Sequence, residues 1–147
     1  MSQAPIPPNS TLPVAYRLAL AGFALLVLVL LMTARVLEPD PRGYGTHEQL
    51  GLTACYFQVT TGLPCPTCGA TTAWSHVLRG NLAQAVAVNL GGALSCAAAL
   101  VGVPWLLLAA TLGRWPVIQP QFRPLLILAT AWLLVVFLDW IRRLIMN

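Results

Sequence analysis

The chain has 147 residues, of which 58% are hydrophobic and 8% are charged, whereas soluble domains carry about 25% charged residues. This composition excludes an ordinary soluble domain and predicts a protein whose main solvent is lipid. The eight basic residues are scattered arginines, so the net charge of +4 comes from no basic run, which argues against nucleic acid as a partner.

The first 16 residues predict a flexible tail. They contain four prolines with small polar residues between them, and such a stretch buries too little apolar surface to offset the entropy of ordering. The remaining residues, 17–147, predict a single membrane domain.

Three long apolar stretches follow, and each suits a hydrocarbon core of about 30 Å, which about 20 helical residues cross. They predict transmembrane helices over about residues 18–37, 83–112 and 124–143. Prolines, glycines and charges in residues 38–45 return the chain to water or headgroups. The predicted fold class is all-α, an integral membrane protein with three spans in contact with the lipid bilayer.

The side of the membrane is predicted from arginines near the helix ends, because cytoplasmic loops carry an excess of them. With three spans, residues 38–88 and the C-terminus share one side. That side carries five arginines against three opposite, so the cysteine segment is predicted to be cytoplasmic. The five are Arg35, Arg42, Arg79, Arg142 and Arg143, and the three are Arg17, Arg114 and Arg123.

Small side chains in the first half of the second span predict that another helix approaches closely there. We expect helices of other membrane proteins to use this face, which comprises Gly91, Gly92, Ser95, Ala99 and Gly102.

The third span contains one acid, Asp139, four residues before Arg143. An interfacial i, i+4 ion pair is the predicted role of this carboxylate, rather than ion or proton handling within the bilayer.

The informative stretch is Cys55 followed by the string Cys65-Pro66-Thr67-Cys68-Gly69. Two cysteines separated by two residues, with proline and glycine after them, predict a tight turn of the zinc-knuckle kind, and zinc prefers thiolate ligands. Cys55, Cys65 and Cys68 supply three ligands of a site that needs four. The fourth would come from this chain, from water or from another chain, and His47 is the predicted internal candidate.

Two other candidate ligands fit less well. A helix is predicted to follow Cys68 and to carry His76 about 12 Å away, at 1.5 Å per residue. Cys96 lies inside the second span, where a free cysteine is typically a small core residue.

The same residues fit two further interpretations. In a dithiol redox site, Cys65 at a helix start is the attacking thiolate and Cys68 the resolving thiol. In a structural site, the cysteines form a disulfide or a rigid turn that caps a helix at the membrane surface. The sequence leaves metal site, redox pair and structural turn open.

A short helix is predicted to follow the cysteine turn within residues 55–80 and to lie in the membrane interface. Its predicted polar side comprises Thr71, Thr72, Ser75 and His76. Gln84 and Asn89, at the start of the second span, are predicted to bond either to the cysteine turn or to headgroups.

The string from Gly62 to Thr72, followed by Gly80-Asn81, Ala85 and Asn89, resembles a bacterial family of small membrane proteins catalogued as domain of unknown function 2752. The family pattern has an upstream cysteine, then G-x-P-C-P-x-C-G-x-T-R, a G-[DN] turn, an alanine and an N-P step. The resemblance covers about Cys55 to Leu90. Thr72 stands where arginine is common and Leu90 where proline is common.

The resemblance implies a bacterial cytoplasmic membrane protein and assigns no activity. We predict a non-enzymatic accessory or assembly component whose cysteine turn is structural or binds zinc, with no catalytic residue assigned. A membrane dithiol-disulfide oxidoreductase is the alternative. A zinc-dependent enzyme ranks third, because no glutamate or free histidine is predicted near the thiolates to act as a general base.

Overall fold

The protein is described here by a computed structural model that covers residues 11–146. The predicted all-α fold is confirmed, and the described residues contain helices and turns without strands. The long helices are α1 (Val14–Val36), α5 (Leu90–Leu112) and α6 (Phe122–Met146), and each is long and apolar enough to cross a membrane. Between α1 and α5 lie a 3₁₀ helix (Thr46–Leu50) and the short helices α2 (Tyr56–Thr61), α3 (Ala70–Val77) and α4 (Leu82–Val88).

The helix bounds differ from those predicted at three places. Helix α1 begins at Val14, so the last three residues of the predicted tail, 14–16, are helical, and residues 1–10 of that tail lie outside the described part. Helix α6 is longer at both ends than the predicted 124–143. The predicted second helix, 83–112, is divided at Asn89, whose backbone is extended (φ −160°, ψ 101°).

Asn89 divides that helix because its side chain replaces a helical hydrogen bond. Its Oδ1 accepts from the Gly92 amide at 2.7 Å, which is the usual way that an N-cap residue starts a new helix. Helix α5 then runs through Pro104 and ends before Gly113, whose φ of +66° suits glycine.

Helix α5 is the central span. Helices α1 and α6 both pack against it, and they do not contact each other. At the end of α5 away from the cysteines, Arg17 of α1 donates to the carbonyls of Ala110 and Thr111 at 2.7 and 3.0 Å. These bonds satisfy carbonyls that the last helical turn leaves without partners.

At the opposite end, the small residues of α5 pack within the chain. A Cβ on Gly91 would clash with Val136 of α6, and a Cβ on Gly92 would lie 3.0 Å from the Ala70 Cα of α3. Ser95 accepts from the Trp74 indole at 3.0 Å. Ala99 packs against the buried residues Leu31, Cys96 and Val103. Four of the five positions predicted to receive another protein thus serve the chain's own packing, whereas a Cβ on Gly102 would have nothing within 4 Å.

The interior is small and extends along α5, from Ala93 near the cysteine turn to Ala109 and Ala110 at the other end. Leu31, Cys96 and Val103 form one buried cluster, against which Trp74 packs. Cys96 is fully buried, which confirms its predicted role as a core residue.

The predicted polar side of α3 is wrong at two of its four positions, where the hydroxyls face protein instead of water, whereas Thr71 and His76 are partly exposed. Thr72 and Ser75 are both fully buried. Thr72 Oγ1 lies 2.8 Å from Thr46 Oγ1, and Ser75 donates to the Leu37 carbonyl at 2.6 Å. These bonds hold the segment after α1 against α3, because buried hydroxyls require partners.

Candidate functional site at the cysteine turn

Three cysteine sulfurs converge beside α3. The Sγ atoms of Cys55, Cys65 and Cys68 all lie within 4.8 Å of one another, and all four cysteines of the chain carry free thiols. Cys96 stays apart from this group in the core between the spans. The structure therefore brings together the three cysteines predicted as ligands.

The chain between Cys55 and Cys65 reverses direction through a short helix. Cys55 directly precedes α2, and α2 ends at Gly62, whose φ is +73°. Glycine adopts this left-handed conformation without the steric cost of a side chain. The reversal returns the chain so that Cys65 approaches Cys55.

The turn from Cys65 to Gly69 is closed by backbone bonds. The Cys68 amide donates to the Cys65 carbonyl at 3.1 Å, and the Ala70 amide donates to the Thr67 carbonyl at 3.0 Å. Gly69 has a φ of +83°, and a Cβ there would lie 2.6 Å from the Gly43 oxygen. The turn thus needs glycine both for its conformation and for close approach of the loop around residue 43.

Helix α6 holds this turn by its carbonyl groups. The Trp140 indole donates to the Pro64 oxygen at 2.7 Å. The Arg143 guanidinium donates to the Pro66 oxygen at 2.8 Å and to the Cys68 oxygen at 2.9 Å. These contacts place the C-terminal end of α6 on the same side as the cysteine segment, as three spans require.

Asn89 reinforces the same two carbonyls from the start of α5. Its Nδ2 donates to the Pro66 oxygen at 3.2 Å and to the Cys68 oxygen at 3.0 Å. The predicted bond between Asn89 and the cysteine turn is therefore confirmed. Gln84, predicted alongside it, is exposed on α4.

Asp139 organises the helix ends behind the turn. Its side chain is 2% exposed and pairs with Arg143 at 3.1 Å, which confirms the predicted i, i+4 pair, and with Arg142 at 2.8 Å. Its Oδ2 also accepts from the Leu90 amide at 3.2 Å. A proline at position 90 would lack this amide hydrogen, so the bond to Asp139 requires a residue other than proline there.

A cavity of about 360 Å³ opens beside the three sulfurs. His47, the predicted fourth ligand, lies on the 3₁₀ helix and lines this cavity, but its ring nitrogens do not belong to the group of atoms within 4.8 Å. The structure thus places His47 on the wall of the cavity that the three thiols line, but outside the group of candidate ligand atoms. His76 is absent from the lining of this cavity.

Glu48 also lines the cavity, although its carboxylate, like the His47 ring, lies outside the group of atoms within 4.8 Å of one another. The Glu48 Oε2 accepts from Arg42 at 2.8 Å, and the same guanidinium pairs with Asp40 at 2.8 Å. Hydrogen bonds from Arg42 hold the pKa of Asp40 below its usual value. These bonds fold residues 40–48 into a turn that places Glu48 on the wall of the cavity.

The two thiols of the turn differ in acidity. Burial raises the pKa of Cys65, but hydrogen bonds from the Cys68 thiol and the Thr67 hydroxyl outweigh burial and bring the pKa below its ordinary value. Burial, together with the neighbouring Cys65, raises the pKa of Cys68 to about 12. Of these two thiols, Cys65 therefore loses its proton first in the metal-free protein.

The supporting residues Trp140 and Arg143 were missed as parts of the site. Their bonds to the turn join residues 75 to 77 positions apart. Nothing in the local sequence indicates such contacts, because an aromatic residue and an arginine at a span end are typical of simple interfacial anchoring.

Comparison with known proteins bears on this same segment. A family model described as "Protein of unknown function (DUF2752)" matches residues 55–111, which confirms the predicted resemblance and extends it from Leu90 through most of α5. No curated protein and no solved structure matches the chain.

Proposed function

We propose that this chain, whose residues 55–111 match the DUF2752 family model, is a non-enzymatic membrane component that binds one zinc ion at its cysteine turn. The observation that carries the proposal is the convergence of three sulfurs within 4.8 Å of one another. Cys55, Cys65 and Cys68 are the ligands.

The donor set suits zinc. Zinc sites are tetrahedral, with Zn–S distances of about 2.3 Å, and soft thiolate ligands favour zinc over magnesium or calcium. Three sulfurs leave one coordination position of the zinc ion. His47 is a candidate for it because it lines the same cavity, and water is the other candidate. Bound zinc would supply a cross-link between the segment that precedes α2 and the turn that precedes α3.

The supporting contacts favour an accessory role over catalysis. Arg143, Asn89 and Trp140 all bind carbonyls of the turn, so a metal held there fixes the loop relative to α5 and α6. The Glu48 carboxylate is engaged by Arg42, which leaves it less available as a general base. A loop fixed in this way suits recognition of another membrane component.

A dithiol oxidoreductase is the second candidate, favoured by the difference in acidity between Cys65 and Cys68. In such a reaction the Cys65 thiolate attacks a disulfide of a partner protein and one partner sulfur leaves as a thiolate. Cys68 then loses its proton and displaces the second partner sulfur, so the partner is reduced and the Cys65–Cys68 pair is oxidised.

Elemental analysis of the detergent-purified protein, combined with thiol alkylation, separates these functions. We expect one zinc per chain and protected cysteines, with zinc lost in Cys65→Ser and retained in Cys96→Ala, which removes a thiol outside the cluster. A metal-free protein whose Cys65–Cys68 disulfide forms and opens with mild reductant would refute the zinc function and support the oxidoreductase. Three freely alkylated, metal-free thiols would refute both.

The side of the membrane on which the cysteine turn lies is a separate part of the proposal. We propose that the protein lies in a bacterial cytoplasmic membrane with the cysteine turn facing the cytoplasm, on the excess of arginines on that side. A membrane-impermeant maleimide should modify the metal-free cysteines in inverted vesicles and spare them in intact spheroplasts; the reverse result would invert the topology. A partner helix would use the face around Gly102, which the chain leaves open.

A further inference from the structure

A second cavity, of about 470 Å³, lies on the membrane side of the cysteine turn. It is a crevice between α1 and α6 and is floored by α3 and the first turns of α5. The crevice exists because α1 and α6 pack on α5 without contacting each other. Its volume is in the range of about 300–1,000 Å³ that small-molecule sites occupy.

The walls of this crevice are apolar, and their polar groups already have partners. Leu30 and Ala34 line it from α1, and Trp132 and Val136 from α6. The Trp132 indole donates to the Gly91 carbonyl at 3.1 Å. Trp74 and Ser95 bond to each other. An occupant of these walls therefore gains from hydrocarbon contact and finds no free donor or acceptor there.

At one end, the crevice adjoins the cysteine cavity through polar side chains. His47, Thr67 and Thr71 line both cavities, and Thr67 Oγ1 lies 3.3 Å from the Cys65 sulfur. The two cavities therefore adjoin each other, with the apolar one between the spans and the more polar one beside the thiols.

We propose that the crevice binds the acyl chain of a bilayer phospholipid and directs the polar end of that lipid to the cysteine centre. The part of the proposal that concerns the polar end rests on the function proposed above. The ligand class of the centre is then an amphiphile that arrives from the membrane instead of a solute from water.

The position of the crevice within the fold identifies phospholipid as the occupant. Its walls come from the end of α1 and the start of α5, so it lies in the leaflet on the cysteine side. Both flanking elements are spans, and hydrocarbon is the solvent between spans at that depth. A lipid of the same leaflet enters the crevice sideways with its headgroup already at the level of the turn.

The test uses the full-length protein in phosphatidylcholine vesicles that contain a trace of phosphatidylcholine with a diazirine in one acyl chain. After illumination, we expect label on Trp74, which lines the crevice, as well as on Leu133, which is exposed on α6. Leu30→Trp fills the crevice and should lower the label at Trp74 by about tenfold. That change corresponds to a loss of about 1.4 kcal/mol of lipid-binding free energy. Leu26→Trp is the matched control, because Leu26 is similarly exposed (57% against 50%) on the same helix but lies outside the crevice lining.

Leu52→Trp is a second filling variant for use if Leu30→Trp does not fold, because Leu52 lines the crevice from a loop and is exposed. Label on Leu133 without label on Trp74 would overturn the proposal, as would equal labelling of Leu30→Trp and Leu26→Trp. Displacement of the label by a short-chain quinone but not by added phospholipid would overturn the choice of phospholipid.

The polar end is tested with phosphatidylethanolamine that carries a maleimide on its headgroup, applied to metal-free protein. We expect it to modify Cys65, about tenfold more slowly in Leu30→Trp than in Leu26→Trp, in line with the same loss of lipid binding. Equal rates would overturn delivery of the headgroup. Zinc content is measured on the same preparations, so a metal-free wild type that still labels at Trp74 would refute the zinc function and leave the lipid site standing.

Discussion

Removal of the Arg143 guanidinium is expected to loosen the cysteine turn without unfolding the chain. Arg143 donates to the oxygens of Pro66 and Cys68 at 2.8 and 2.9 Å. Asn89 donates to the same oxygens at 3.2 and 3.0 Å. Each oxygen therefore keeps one donor in Arg143→Met, and Asp139 keeps Arg142. The substitution removes charge-assisted bonds but leaves no carbonyl of the turn without a partner.

The size of the effect follows from these bonds. Hydrogen bonds to charged groups contribute about 1.5–3 kcal/mol each, and the retained Asn89 bonds put the expected loss of folding free energy from the two bonds to the turn at the low end, about 3 kcal/mol in total. Part of that loss is common to the metal-free and zinc-bound forms. We therefore expect the zinc affinity of Arg143→Met to fall about 10–100-fold, as is typical when a group that orients metal ligands is removed.

The assay is competition for zinc between the protein in detergent micelles and a chromophoric chelator, with circular dichroism to check helix content. Arg142→Met is the matched control, because Arg142 bonds to Asp139, Ala87 and Met146 instead of the turn. It should bind zinc with nearly the affinity of the wild type. Unchanged affinity in Arg143→Met, or equal losses in both variants, would refute the role given to Arg143.

Three further predictions concern separate parts of the molecule. Gly69→Ala should lower the unfolding free energy by about 2–5 kcal/mol, because the backbone there is left-handed and the added Cβ would lie 2.6 Å from a backbone oxygen. Gly62→Ala is the comparison, because Gly62 is also left-handed but lies in open space, and it should lose about 1–2 kcal/mol. Arg17→Met should lose about 1–2 kcal/mol in detergent melts, after a discount for its partial exposure, with zinc affinity unchanged. In metal-free protein at pH 8, iodoacetamide should modify Cys65 and spare Cys68, because a lowered pKa increases the thiolate fraction and a pKa of about 12 suppresses it.

Each of these predictions has a result that contradicts it. Equal melting temperatures for Gly69→Ala and Gly62→Ala would show that the loop around residue 43 does not press on the turn. Weakened zinc binding in Arg17→Met would show that the two ends of the membrane domain are coupled. Faster modification of Cys68 than of Cys65, read by peptide mass spectrometry, would reverse the assigned order of acidity.

The spans and the cysteine cluster could be predicted from sequence because both depend on local features. Apolar runs of about 20 residues indicate membrane helices without knowledge of their neighbours. The spacing of Cys65 and Cys68 defines a turn by itself. The break at Asn89 was not predicted, because apolar residues continue on both sides of it and an N-cap within an apolar run is visible only from its bond to Gly92.

The supporting contacts could not be predicted, because they join distant parts of the chain. Arg143 and Trp140 reach the turn only once α6 has packed on α5. Glu48 reaches the cavity because Arg42 folds its loop through two ion pairs. The polar side of α3 was assigned to water for a related reason: the hydroxyl of Ser75 finds a buried carbonyl that helical periodicity alone does not reveal.

X-ray absorption at the zinc edge of the purified protein tests the central claim most directly. Coordination by Cys55, Cys65 and Cys68 predicts three sulfur scatterers at about 2.3 Å and one nitrogen or oxygen at about 2.0–2.1 Å, with all sulfur scattering lost when the three cysteines are changed to serine. A shell of nitrogen and oxygen alone in the wild-type protein would contradict the claim.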